Sequence, residues 1–140
     1  MRSIRPFHVA FPVRDLEEAR TFYAQTLGCS TGRESNLWID FNLFGHQIVA
    51  HLSLEETKEV QKNPVDGNAV PVRHFGVILE SSEWEELKDR IRKSGIQFLI
   101  EPRIRFDGKP GEQRTMFLMD PSGNALEFKS FANDNYIFQK

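Results

Sequence analysis

The chain has 140 residues, 39% of them apolar and 27% charged, with a net charge of −2. That size fits one soluble domain able to bury about two thirds of its unfolded surface, and the balanced charge excludes the basic footprint of a nucleic-acid-binding protein. No apolar run approaches the roughly 20 residues that span a bilayer, and a single cysteine, Cys29, excludes an internal disulfide or a cysteine-rich zinc site. The N-terminal residues enter a strand pattern without a secretory apolar region, so a cytoplasmic protein is expected.

Residues 6–13 alternate as a strand, with Phe7, Val9 and Phe11 on one face and His8, Ala10 and Pro12 on the other. Asp15 and Glu18 have capping-box spacing, and Leu16, Ala19, Phe22, Tyr23 and Leu27 follow at helical intervals up to Gly28. Trp38 to Phe44 and Gln47 to Leu52 read as strands joined by a Gly45-His46 turn. Residues 55–70 are polar and broken by Asn63-Pro64 and Asp66-Gly67, which reads as a linker with a short helical turn near Leu54–Val60.

The pattern then starts again. His74 to Leu79 is a strand, and Ser82 with Glu85 proposes a second capping box. Trp84, Leu87 and Ile91 line a helix that stops at Gly95. Ile96 to Ile100 reads as a strand and Pro102 to Gln113 as a basic loop. Thr115 to Met119 and Asn124 to Phe131 form a hairpin around Asp120-Pro121-Ser122-Gly123. The order of elements repeats: module one at about 5–54, module two at about 71–132, within a single domain of residues 1–140.

Three of the four histidines and one glutamate occupy matched places in these halves: His8, His51, His74 and Glu127. Strand parity puts each opposite a large apolar face and beside small neighbours, Ala10 for His8, Gly76 for His74 and Ala125 for Glu127. Large apolar faces suit packing on helices, and the other face leaves room for a ligand. Imidazole and carboxylate are donors for borderline divalent metals. One strand histidine alone is more often hydrogen-bonded core or surface, and Glu127 has Lys129 as an alternative partner. Four together favour a metal site. His46, in the expected turn, is assigned to solvent.

Two segments resemble the vicinal oxygen chelate superfamily, which includes glyoxalase I, extradiol dioxygenases, fosfomycin-resistance enzymes and bleomycin-binding proteins. One is Phe7-His8-Val9-Ala10-Phe11-Pro12-Val13-Arg14-Asp15-Leu16 with Phe22-Tyr23 and Leu27-Gly28. The other is Asp120-Pro121-Ser122-Gly123-Asn124-Ala125-Leu126-Glu127-Phe128. The opening strand with Phe44 to His51 is further similar to small single-domain predicted extradiol-type dioxygenases. The resemblance implies an α+β fold of two βαβββ modules forming a cupped, mostly antiparallel sheet around one divalent metal.

Carried onto this chain, the family's ligand positions are His8 and His74 in the first strands and His51 and Glu127 in the last. His8, His74 and Glu127 match the two-histidine, one-carboxylate set of non-haem Fe(II), which favours Fe(II) over Zn, Ni or Mn. His51 is then a fourth ligand or a catalytic acid–base. Where glyoxalase I carries a carboxylate this chain has His51, which argues against glyoxalase chemistry. The expected activity is a ring-cleaving dioxygenase on a small catechol-like substrate. A glyoxalase-like lyase, a fosfomycin-type transferase and a non-catalytic binding protein are the rivals.

Trp38, Asp40, Phe117 and Arg105 are substrate-binding candidates. The first three can line a cup, and Arg105 lies in the basic loop suited to a lid that attracts anions. The expected partners are a small-molecule substrate and a second copy of the chain, with no nucleic acid and no membrane.

Overall fold

A computed structural model describes residues 3–58, 62–65, 68–71 and 73–140. The chain divides into two units, Met1–Val60 with Asp120–Asn124, and Gln61–Met119 with Ala125–Lys140. Each carries a four-stranded mixed sheet. No helix among the described residues is long and apolar enough to cross a membrane.

In the first unit, β1 (His8–Val13) leads into α1 (Leu16–Arg20), then β2 (Ser30–Glu34), β3 (Trp38–Leu43) and β4 (His46–Leu52). Asp15 caps α1 by accepting the Glu18 backbone N–H at 2.8 Å, half of the expected capping box. The helix then widens into a π-helical stretch, Thr21–Thr26, which buries Phe22, Tyr23 and Thr26. Gly28 ends it with φ 82°, a conformation glycine adopts without steric cost. The sheet order is β1-β4-β3-β2, with β1 parallel to β4 and the other pairs antiparallel. Its core face is Phe11, Val13, Ile39, Phe41, Leu43 and Ile48, all buried.

The β3–β4 turn falls one residue earlier than expected. Phe44 and Gly45 both have positive φ, the combination a two-residue type I′ hairpin requires. His46 is consequently a strand residue opposite Leu43. β2 went unread in the sequence because all five of its residues are exposed, leaving no apolar alternation.

In the second unit, residues read as linker form an antiparallel hairpin, β5 (Lys62–Val65) and β6 (Asn68–Pro71). Of the helical turn expected near Leu54–Val60, Leu54–Thr57 is a turn, closed by the Thr57 hydroxyl on the Ser53 carbonyl, and residues 59 and 60 lie outside the description. β7 (His74–Phe75) is followed by α2 (Ser81–Ser94), β8 (Ile100–Arg105), β9 (Gln113–Met119) and β10 (Ala125–Phe131). The order β7-β10-β9-β8, with β7 parallel to β10, repeats the topology of the first sheet. Trp84, Leu87 and Ile91 of α2 are buried, and the Trp84 indole N–H donates to the Phe128 carbonyl at 2.9 Å.

Three boundaries differ from the sequence reading. α2 starts at Ser81, so its N-cap is Glu80, which makes no side-chain cap, and the Ser82–Glu85 box does not form. The strand expected at Ile96–Ile100 begins only at Ile100 and runs into the basic segment. Half of the expected lid is therefore ladder, with Arg103 opposite Thr115 and Arg105 opposite Gln113. β7 pairs over only two residues, after which a single bridge joins Ile78 to Lys129.

Candidate functional site

Parallel pairing of β7 with β10 sets the geometry of the second unit. His74 lies opposite Ala125 and Phe75 opposite Leu126. Continuing that register puts Gly76 beside Glu127. His74 and Glu127 thus share a face two positions apart on adjacent strands, about 7 Å along the strand direction. Both line a cavity of about 240 Å³ with Phe75, Gly76, Val77, Ile78 and Lys129.

The backbone approach there is close. A Cβ on Gly76 would lie 1.6 Å from the Glu127 carbonyl oxygen, so only glycine permits this strand separation. Glu127 is 8% exposed, and its Oε1 is 3.0 Å from Lys129 Nζ. A buried carboxylate needs such a counter-charge. Phe117, opposite Glu127 on β9, meets the His74 ring edge-on with centroids 5.4 Å apart. An exposed imidazole and a buried carboxylate on one cavity are a donor set that fits a borderline divalent cation.

The first unit holds the other two histidines. β1 and β4 pair with His8 opposite Gln47 and His51 opposite Pro12. His8 and His51 therefore share a face but stand four positions apart, about 13 Å. That offset sets His51 apart from His8 along the strands, whereas the sequence reading grouped both around one ion. His51 instead faces Trp38, its register partner, with ring centroids 6.4 Å apart. Asp40 lines a separate cavity of about 500 Å³ together with Asn42, His46 and Gln47. Arg105 lies over the Phe106 ring at 5.1 Å and is not part of the His74–Glu127 cavity lining. Among the described residues, no group of three or more His, Cys, Asp or Glu gathers closely enough to hold a metal ion.

Two residues carry more than their sequence context showed. His46 Nδ1 accepts the Phe7 backbone N–H at 2.9 Å, next to the Gln47 N–H donation to the Phe7 carbonyl. It therefore fixes the entry of β1 just before His8. A histidine at a turn gives no such hint, because its partner is 39 residues away.

Tyr23, legible only as core, donates its hydroxyl to Asp120 Oδ2 at 2.8 Å. Asp120 also accepts from the Ser122 and Asn124 backbone N–H groups and from Asn124 Nδ2. Asn124 Nδ2 in turn reaches the Pro12 carbonyl, and the Arg14 N–H donates to Ser122 Oγ. The Asp120–Asn124 motif is thus a structural clamp within the first unit. Burial raises the Asp120 carboxyl above its ordinary value against these hydrogen bonds. Burial first, and the neighbouring carboxylate second, push the Tyr23 phenol well up.

The family model described as Glyoxalase/Bleomycin resistance protein/Dioxygenase superfamily matches residues 5–128. No protein of curated function matches the chain. Among solved structures, a glyoxalase/bleomycin resistance protein/dioxygenase from Alicyclobacillus acidocaldarius is 37% identical over 99% of this chain and 100% of its own, with a TM-score of 0.83. The fosfomycin resistance protein FosX of Listeria monocytogenes shares the fold at 16% identity, covering 97% and 98% of the two chains, TM-score 0.69. Lactoylglutathione lyase from Agrobacterium tumefaciens shares it at 20% identity, covering 89% and 91%, TM-score 0.64. With nearly its whole length matched, this chain belongs to the glyoxalase/bleomycin resistance protein/dioxygenase superfamily, the vicinal oxygen chelate fold.

Proposed function

We propose that the chain is a metal-dependent enzyme acting on a small molecule with two adjacent oxygens, and that its reaction is extradiol-type opening of a catechol-like ring. The observation that carries this reading is the His74–Glu127 pair: an imidazole and a buried carboxylate on one face of one cavity. His8 completes the set, contributed by a second copy of the chain. β1 and β7, the strands bearing His8 and His74, each stand at the edge of their sheet, where another copy can approach.

With the register separating His51 from His8, the set has three protein ligands and open positions, the two-histidine, one-carboxylate arrangement suited to Fe(II). Bound Fe(II) supplies a Lewis acid for adjacent oxygens and a redox partner for dioxygen. The protein's own contribution is positioning. Phe117, itself buried, packs edge-on against the His74 ring and fixes its orientation. Gly76 lets β7 approach close enough to bring both donors to one cavity. His46 holds the strand that carries His8.

The test is oxygen uptake by anaerobically loaded Fe(II) protein across a panel of catechols. The proposal expects one dioxygen consumed per ring opened, both atoms entering the product, and loss of turnover in His74→Ala and Glu127→Ala. Equal turnover under nitrogen with Mn, Ni or Zn would place the chemistry with the non-redox lyases and transferases of the superfamily. Ligand binding untouched by either substitution would make the protein a non-catalytic binder.

A further inference from the structure

Lys129, the counter-charge of Glu127, stands where a cation entering the cavity would have to bind. It lies two residues after Glu127 on the same face of β10, with its Nζ 3.0 Å from Glu127 Oε1. It lines the cavity shared by His74 and Glu127. A cation entering that cavity needs the same carboxylate oxygens and meets a unit positive charge within hydrogen-bonding distance of one of them. Directly across the ladder from Lys129 stands Thr115. This residue is 1% exposed, and its Oγ1 has no hydrogen-bond partner among the described residues. A buried hydroxyl left unsatisfied is uncommon and calls for an explanation.

We propose that Lys129 is a resident counter-ion with two stations. On Glu127 it neutralises the buried carboxylate; on Thr115 Oγ1 it vacates that carboxylate for a divalent cation. Lys129 is thereby the positioning residue that sets the affinity of the site for metal. The inference rests on the proposed metal centre and adds a determinant to it.

The two observations are independent. The ion pair explains how a carboxylate can be this buried. The orphaned hydroxyl explains where an ammonium can go without losing every partner. Metal and ammonium compete through Coulomb repulsion at close range, softened because the Lys129 side chain is 35% exposed.

A double-mutant cycle read by calorimetric titration of chelator-treated protein with Mn(II) tests this. Lys129→Met should bind Mn(II) about tenfold more tightly than wild type, because the competitor is gone. Lys129→Gln, which keeps a donor without the charge, should tighten binding as well and covers the case in which the methionine variant misfolds. Thr115→Val should weaken binding about threefold, because the released ammonium loses its acceptor. In the Lys129→Met background the same valine should have no effect.

Equal or weaker Mn(II) binding in both Lys129 variants would overturn the proposal. An undiminished Thr115→Val effect without Lys129 would overturn the second station. His74→Ala separates the two levels. If it retains wild-type Mn(II) affinity, the metal centre itself is wrong; if it abolishes binding while the Lys129 variants stay unchanged, only the counter-ion inference falls.

Discussion

Asp120 shows how one side chain can organise a segment that reads in sequence as a mere turn. Its two oxygens take four donors, one from Tyr23 and three from its own loop. Tyr23→Phe should cost about 2 kcal/mol, the range for a hydrogen bond to a charged group. The sign of its pH dependence follows from the hydrogen bond. Burial raises the folded carboxyl above 3.8, and the Tyr23 bond pulls it partly back. Removing the donor raises it further. A raised carboxyl contributes stability that is present below its unfolded value and lost as pH rises through the folded one. Thermal melts should therefore show the penalty of Tyr23→Phe largest near neutrality and shrinking as pH falls toward 3.8.

Gly76→Ala should destabilise by about 3 kcal/mol, since the new Cβ collides with backbone that cannot yield. Gly32→Ala, whose Cβ would meet Asp40 Cβ at 3.3 Å, should cost about 1 kcal/mol or less, both variants being read by urea unfolding. Residue by residue, the faces on which the candidate donors lie were legible because period-two alternation reports parity directly. The partners of Tyr23 and His46 were not, because they lie 97 and 39 residues away and leave no local pattern.

Among the elements, those with one apolar face were readable and those without were not. α2 was visible in Trp84, Leu87 and Ile91, and its end in Gly95, whose φ is 80°. Its start was misplaced because Ser81 and Ser82 offer equivalent cap chemistry, and the chain uses Glu80 instead. Glu80→Ser supplies the missing acceptor and should stabilise the protein by about 1 kcal/mol, measured as a higher denaturant midpoint at constant slope. β2 is exposed throughout, and β8 begins inside a stretch rich in arginine and proline, so hydrophobic periodicity is silent on both. The hairpin Lys62–Val65 with Asn68–Pro71 was masked in the same way by its prolines and polar residues. Ladder pairing, a long-range property, decides such strands, not composition.

Taken as a whole, the chain states its architecture twice. Both sheets place their first strand parallel to their last, in the orders β1-β4-β3-β2 and β7-β10-β9-β8. The repeat was legible because the same signals recur in the same order. The assembly of the site was less so: the sequence put His8 and His51 in the first and last strands of one module, and only the register shows them four positions apart. The remaining donors divide into a pair, His74 and Glu127, and a single histidine, His8, on an edge strand. The central claim is that His8 of one copy meets His74 and Glu127 of another. Metal content of His8→Ala, Glu127→Ala and an equimolar co-assembled mixture tests it most directly. The account predicts that neither variant alone retains stoichiometric metal and that the mixture recovers about a quarter of the wild-type sites, because half of the dimers then hold one intact set. Full metal retention in either single variant, or a mixture that recovers none, would contradict it.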